Sequence, residues 1–184
     1  IGAICDRRLV VGADGVVFLE RSPGVAYSIR YLNRDGSLAE LCGNASLCSA
    51  SLARELGVIR EGEPFSFLTS SGVLAGRFAN GGPEVEMPPV SDESVSFETP
   101  LAPGEHRMGF ARVGVPHLVV VCGDLEQVNV SKRGRELRNL PSLPAGANAN
   151  FVTLGSGGWA YRTYERGVEE ETLACGTGSV ATAA

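Results

Sequence analysis

Two kinds of hydrophobic pattern alternate along the chain. Short runs rich in Val, Ile, Phe and Tyr, bounded by turn-forming residues, predict β-strands. Longer runs of small residues, each beginning just after a Cys-Gly pair, predict helices. The predicted strands cover residues 15–20, 27–33, 65–69, 73–78, 84–87, 108–113, 118–121, 149–154 and 159–164. This alternation predicts a mixed fold in which several strands accompany each helix.

The clearest helix prediction covers residues 44–56. Asn44 is a suitable N-cap residue, and Gly57 stands where a helix commonly ends. Cys48, Leu52 and Leu56 fall on one face of this helix. A polar helix is predicted over 125–140, and a third helix begins near residue 177.

A proline-rich stretch divides the chain. Residues 88–103 contain four prolines together with Ser and Glu, which is typical of a linker. We therefore expect an N-terminal domain over 1–90 and a C-terminal domain over 91–184. Each half contains strands, then a Cys-Gly turn, then a helix of small residues, which is a weak repeat of architecture. The predicted fold class is α/β, more narrowly α+β, with two pseudo-symmetric domains.

The amino-acid composition argues against some classes of binding partner. A net charge of -5 and a pI near 5.1 argue against nucleic acid or an anionic membrane as the main partner. No apolar run is long enough to cross a bilayer. The five cysteines are odd in number and lack a scaffold spacing, which indicates free thiols in a reducing cytoplasm. The start at Ile1 and the end at Ala184, inside a predicted helix, suggest a fragment.

Two cysteines stand in near-copies of one motif, Leu-Cys-Gly-Asn at 41–44 and Ala-Cys-Gly-Thr at 174–177. A thiol at a helix N-terminus meets unpaired backbone N–H groups and the positive end of the helix dipole, which stabilise its thiolate. Small buried cysteines commonly only pack. A matched pair instead suggests an acid and a base on opposite sides of a substrate, so Cys42 and Cys175 are the candidate catalytic residues.

The residues after each cysteine suggest how a substrate is held. The backbone N–H groups of Gly43 and Asn44, and of Gly176 and Thr177, are suited to bind an α-carboxylate. Simple capping by the two polar side chains is compatible with that role. A metal site is not expected, because the cysteine spacing is wrong for zinc and no His lies nearby in sequence.

The chain resembles the diaminopimelate epimerase family of cofactor-independent amino-acid racemases and epimerases. The most specific matches are Tyr-Glu-Arg-Gly-Val at 164–168 and Glu-Thr-Leu-Ala-Cys-Gly-Thr-Gly at 171–178. Further matching stretches lie at 5–8, 12–15, 33–37, 40–44, 116–117 and 148–152. The resemblance implies two domains, each a barrel-like set of strands around a central helix, with an active site in the cleft between them. It also implies a homodimer, a small amino-acid substrate and no cofactor.

Further site residues follow from the resemblance. It implies that Arg166 and Glu165 bind the far end of the substrate, and that Glu165 and His117 tune the pKa values of the thiols. Asn33 and Asn148 resemble residues that bind the distal carboxylate, although Asn33 also suits a purely local turn.

Three functions remain open. Interconversion of LL- and meso-diaminopimelate, in lysine and cell-wall precursor synthesis, is the leading prediction. A two-cysteine racemase of another amino acid is the alternative. It is favoured by Val115, which replaces an Asn common before Pro-His in the family, and by Ala45, which replaces a Gly in the first helical turn. A non-catalytic binding protein or thiol redox protein on the same fold is the third.

Overall fold

The computed structural model describes all residues from 1 to 184, which form two compact units over 1–88 and 89–184. No helix is long and apolar enough to cross a bilayer. The α-helices are α1 (Gly2–Cys5), α2 (Gly43–Glu55), α3 (Val130–Arg138) and α4 (Gly176–Ala183). The strands of the first unit are β1 (Gly15–Glu20), β2 (Tyr27–Asn33), β3 (Phe65–Thr69), β4 (Gly72–Ala79) and β5 (Gly82–Val85). Those of the second are β6 (Ser91–Ser94), β7 (Glu105–Val113), β8 (Val115–Cys122), β9 (Asn148–Gly155), β10 (Gly158–Glu165) and β11 (Glu170–Thr172).

The first unit is a five-stranded sheet curled over α2. The strands follow the order β1-β2-β3-β4-β5, and all neighbours are antiparallel except β2 and β3. Helix α2 contacts both edge strands, β1 and β5, as well as β2, so the sheet must wrap around it. Tyr27 and Phe67 stack at 5.1 Å between ring centroids beneath this helix, beside the buried Phe78. The predicted arrangement of strands around a helix is confirmed.

Helix α2 packs through its small residues. Ser49, Ala50 and Ala53 are buried, so the helix axis approaches the sheet closely. The side chains of Leu52 and Leu56 are instead 45% and 62% exposed. The apolar face noted in the sequence therefore points away from the core, because the narrow space under the curled sheet admits small side chains better than large ones.

The second unit is a six-stranded sheet with a helix on each face. The strand order is β11-β10-β9-β8-β7-β6, with β8 and β9 parallel. Leu118, Phe151 and Tyr164 point to one face and pack with Leu137 of α3. Alternate residues such as Val119 point to the other face and pack with α4. Because neighbouring side chains on a strand point to opposite faces, each strand serves both helices.

Several elements differ from the sequence predictions, beginning with the four-residue helix α1, which was not predicted. The predicted linker contains β6, whose four residues are exposed and polar and therefore lack strand alternation. Strand β6 forms because it pairs antiparallel with β7, which would otherwise be the edge strand of the sheet. The predicted helix over 125–140 is divided into a 3-10 turn and α3, since Asn129 caps α3 by accepting a 3.0 Å hydrogen bond from the Lys132 N–H. Strand β11, three residues long, was not predicted.

Candidate active site

Polar side chains gather on the α4 face of the six-stranded sheet. His117 lies on β8, Asn148 and Asn150 lie on β9, and Thr163 lies on β10. His117 is the register partner of Asn148 between β8 and β9, and Asn150 is the register partner of Thr163 between β9 and β10. All four side chains are buried. The opposite face of the same strands is apolar, so this polar cluster stands apart from the main core.

Cys175 is the N-cap residue of α4 and is only 4% exposed. Burial raises the pKa of the Cys175 thiol to about 12, and the negative charge of Glu165 acts in the same direction. The Thr177 hydroxyl, 3.5 Å from Sγ, and the Gly178 N–H act in the opposite direction but more weakly. Cys175 therefore keeps its proton at neutral pH, and in this state it is a proton donor.

Tyr161 holds the start of α4 in place. Its hydroxyl accepts a 3.2 Å hydrogen bond from the Cys175 N–H and donates one of 3.0 Å to the Cys175 carbonyl. The same oxygen lies 2.7 Å from Ser179 Oγ. No sequence motif marks Tyr161. Its only signal was that it lies two residues from Thr163 and so shares the sheet face of the site.

Replacing Tyr161 by Phe is expected to loosen this turn without creating a cavity. We expect a loss of about 1–2 kcal/mol in the free energy of unfolding, because the buried N–H of Cys175 loses its partner. Urea titration measures this loss. Ser179→Ala is the matched control, because it leaves both bonds between Tyr161 and Cys175 intact and should cost less. Equal losses in the two variants would contradict the role given to Tyr161.

The Glu165–Arg166 pair is anchored by several contacts. The Thr172 hydroxyl donates a hydrogen bond to the Glu165 carboxylate. The Arg166 N–H donates to Asn148 Oδ1 at 2.8 Å, and its guanidinium donates to the Ala145 carbonyl at 3.0 Å. Asn148 therefore holds the backbone of Arg166, a role that the sequence did not predict.

His117 is fully buried in the same cluster. Burial lowers the pKa of its imidazole to about 4, and the positive charge of Arg166 adds to this effect. The ring is therefore neutral at physiological pH. Its Nδ1 lies 3.1 Å from Asn150 Nδ2, while its buried Nε2 has no hydrogen-bond partner in the protein.

The first unit contains the second cysteine in the matching position. Cys42 is the N-cap residue of α2, in place of the predicted Asn44, and its Sγ accepts a 3.4 Å hydrogen bond from the Ala45 N–H. Gly43 and Asn44 form the first turn, as Gly176 and Thr177 do in α4. Both cysteines thus stand at the start of a helix that packs on the sheet of its own unit. None of the five cysteines forms a disulfide bond.

Asn33 is the last residue of β2, directly before a turn. Its side-chain amide donates a 3.0 Å hydrogen bond to Ser37 Oγ, and its backbone N–H donates to the Ser37 carbonyl at 2.9 Å. The structure therefore shows the local turn role of Asn33. The substrate-binding role expected from the resemblance stays a prediction.

Comparison with known proteins identifies the family. The sequence model of diaminopimelate epimerase matches residues 1–91 and 109–184. The chain belongs to the diaminopimelate epimerase family. A diaminopimelate epimerase of Gemmatimonas aurantiaca is 44% identical over the whole chain, which covers 67% of that relative. One of Aquifex aeolicus is 39% identical over 98% of the chain and 66% of its own length. The chain thus spans about two thirds of the length of these family members.

Solved structures show the same two-domain fold at low sequence identity. A hydroxyproline epimerase from Agrobacterium vitis, with bound trans-4-hydroxy-L-proline, superposes with a TM-score of 0.73 at 20% identity, over 94% of this chain and 60% of that one. A PhzF-family phenazine biosynthesis protein from Bacillus anthracis gives a TM-score of 0.72 at 15% identity, over 94% and 65% of the two chains. These neighbours support the α+β fold class of the diaminopimelate epimerase family member described here.

Proposed function

We propose that this protein is a cofactor-independent epimerase that interconverts LL- and meso-diaminopimelate. The observation that carries the proposal is the matched placement of Cys42 and Cys175, each at the N-cap of a helix packed on its own sheet. The family membership and the identity of 44% to a diaminopimelate epimerase support the substrate. The reaction belongs to lysine and peptidoglycan precursor synthesis, and we place it in the reducing cytoplasm because both reacting groups are thiols.

The chemistry requires one base and one acid on opposite faces of the α-carbon. We assign Cys42 as the base, since a sulfur that accepts a helix N-terminal N–H bond is well suited to carry negative charge. Cys175 is the acid because burial and Glu165 keep its proton in place. Cys42 takes the α-proton as Cys175 gives its proton to the other face. The product leaves a Cys42 thiol and a Cys175 thiolate, and the reverse reaction restores the starting state.

The helix starts stabilise the charge that develops on the substrate. Removing the α-proton places negative charge on the α-carbon and its carboxylate, and backbone N–H groups at a helix N-terminus stabilise such charge. We assign this role to Gly43 and Asn44 in α2 and to Gly176 and Thr177 in α4. Glycine at each first position lets a ligand approach the backbone closely.

Recognition of the far end of the substrate is assigned to charged and polar residues of both units. The Arg166 guanidinium suits a carboxylate, and the Glu165 carboxylate suits an ammonium group. Asn148 supports this segment through the Arg166 N–H, and Asn33 is the candidate from the first unit. His117 and Glu165 are the residues that set the state of the thiols.

A racemase of another amino acid is the second candidate. Val115 is the first residue of β8, directly before Pro116 and His117, and it is 5% exposed. A valine side chain cannot donate the hydrogen bond that an Asn at this position would supply to a distal carboxylate. This observation favours a substrate with a smaller or less polar side chain.

Exchange of the substrate α-proton in D₂O, followed by NMR, tests the proposal. The reduced protein is incubated with LL-diaminopimelate and with a panel of other amino acids, with the Gemmatimonas aurantiaca relative as a positive control. Deuterium incorporation into diaminopimelate with formation of the meso form is the expected result. Exchange with another amino acid alone would favour the second candidate. No exchange from a folded, reduced protein would rule out the two-thiol mechanism and favour a binding or redox role. Sedimentation of the same sample tests the expected homodimer.

A further inference from the structure

A fully buried amide, that of Asn150, is hydrogen-bonded to the His117 ring and to two neighbouring strands. Asn150 lies in the middle of β9 with no exposed surface. Its Nδ2 lies 3.1 Å from the Leu118 carbonyl and 3.1 Å from His117 Nδ1. Its Oδ1 accepts a 3.0 Å hydrogen bond from the Thr163 hydroxyl. One side chain therefore makes three hydrogen bonds inside the polar cluster.

These contacts determine where the proton of His117 lies. The Leu118 carbonyl can only accept a hydrogen bond, so the amide atom that faces it must be nitrogen. The same nitrogen directs its second hydrogen at His117 Nδ1, which must then be an acceptor without a proton. A neutral imidazole carries one proton, so it is on Nε2. Asn150 thus selects the Nε2–H tautomer.

The selected proton has no partner within the protein. His117 Nε2 is buried and makes no hydrogen bond. A buried donor without a partner costs about 1–3 kcal/mol, so such a group calls for a functional explanation. Because the tautomer makes Nε2 a donor, only an acceptor can satisfy it, and the carboxylate of an amino-acid substrate is an acceptor of the right chemistry.

Asn150 also contacts the helix that Cys175 caps. A Cβ at Gly178 would lie 2.3 Å from Asn150 Oδ1 and 3.3 Å from Cys175 Cβ. The first turn of α4 therefore lies directly on the amide, and no larger residue than glycine fits there. A displacement of Asn150 would disturb both the histidine ring and the turn that bears the thiol.

We propose that Asn150 is a positioning residue of the active site, which holds His117 in its Nε2–H tautomer so that this hydrogen is donated to a substrate carboxylate oxygen. The inference rests on the proposed function for its substrate, but the tautomer is a property of the protein alone.

The tautomer can be read directly by ¹⁵N NMR of the histidine-labelled protein without substrate. The chain has two histidines, so the His106→Gln variant assigns the signals. We expect the His117 signals of an Nε2–H imidazole in the unsubstituted protein. Asn150→Asp preserves the shape of the side chain, and its ionised carboxylate presents only acceptor atoms, so we expect His117 to carry a proton on Nδ1 instead. Thr163→Val is the matched control, since it leaves both Nδ2 hydrogen bonds in place and should retain the tautomer.

Rates of α-proton exchange in the same variants test whether the His117 tautomer matters for catalysis. We expect Asn150→Asp to lower the rate of α-proton exchange by about 10- to 100-fold, because a small displacement of a group at the reacting centre can lower the rate by about that factor. We also expect it to change the pH profile of kcat. Thr163→Val should change the rate much less. A His117 ring that carries its proton on Nδ1 in the unsubstituted protein, or that keeps the Nε2–H tautomer in Asn150→Asp, would overturn the proposal. Intact Nε2–H signals without any exchange activity would instead refute the proposed function.

Discussion

Replacing Cys175 by serine is expected to lower the rate of epimerisation by at least about 10³-fold, because an alcohol is a far weaker general acid than a thiol. The same loss is expected for Cys42→Ser. The two variants should differ in a second respect. In Cys175→Ser, Cys42 still reaches the α-proton of one epimer, so that epimer alone should exchange with D₂O without inversion. In Cys42→Ser the remaining thiol is Cys175, whose pKa is raised to about 12, so neither epimer should exchange at neutral pH and exchange of the other epimer should increase only as the pH is raised.

The control for these variants is Cys48→Ser. Cys48 is an exposed thiol on α2, the helix that Cys42 caps, so its replacement should leave the rate of epimerisation unchanged. Exchange of each purified epimer, followed by NMR, separates loss of inversion from loss of proton abstraction. Retention of full epimerisation in either catalytic variant would exclude the two-thiol mechanism. Loss of exchange for both epimers in Cys175→Ser would exclude the assignment of Cys42 as the base on one face.

Mild acid is expected to destabilise the fold through His117. Its pKa is about 4 in the folded protein and near the ordinary value of 6.5 in the unfolded chain. Between these values the unfolded state binds the additional proton, so stability falls as the pH is lowered from 6.5 towards 4. The loss approaches about 3 kcal/mol at the lower limit, at 1.36 kcal/mol for each pH unit. Urea unfolding at a series of pH values measures it.

The carboxylates act in a different pH range. Burial alone would raise the pKa of Glu105, but the hydrogen bonds from Arg133 and the Ala102 N–H, together with the charge of Arg133, outweigh burial and lower the pKa below 4.5. The same is true of Glu169, where Arg138, the Gly167 N–H and the Tyr164 hydroxyl together outweigh burial and lower the pKa. Their contribution to stability is lost only as the pH falls below about 4.5, the ordinary value for Glu. The loss at higher pH therefore reports on His117.

Two variants identify the source of this pH dependence. His117→Gln should flatten the stability curve between pH 6.5 and pH 4.5, whatever its effect on stability at neutral pH, because it removes the titrating ring. His106→Gln replaces the exposed histidine and should keep the original slope. An unchanged slope in His117→Gln would show that the acid sensitivity arises elsewhere.

Strands whose residues alternate between buried and exposed positions could be predicted from the sequence. The strands at 15–20, 27–33 and 65–69 have the predicted bounds, because alternating β-branched and aromatic residues are suited to a half-buried sheet. Strand β6 could not be predicted, since its residues are polar and its pairing partner on β7 supplies the structure. The buried face of α2 was also misjudged, because only the curvature of the sheet selects small side chains there.

In the candidate site, too, some residues could be predicted from local sequence and others depend on the tertiary structure. The Cys-Gly motifs and the Glu-Arg pair are local signals, so Cys42, Cys175, Glu165 and Arg166 could be named from the sequence alone. Asn150 and Tyr161 could not, because each acts on a residue distant along the chain. The hydrogen bond from Asn150 to His117 joins residues 33 positions apart, and that from Tyr161 to Cys175 joins residues 14 positions apart.

The sequence by itself determined the family, the two-unit α+β plan and the pair of thiols at helix starts. These properties depend on residue type and on short spacing, which a linear pattern records. Only the tertiary structure showed the burial that raises the pKa of Cys175 and the hydrogen bonds from which we infer the proton position on His117. Both depend on burial and on the direction of hydrogen bonds between strands, because a protonation state is determined by the groups that surround an atom in space.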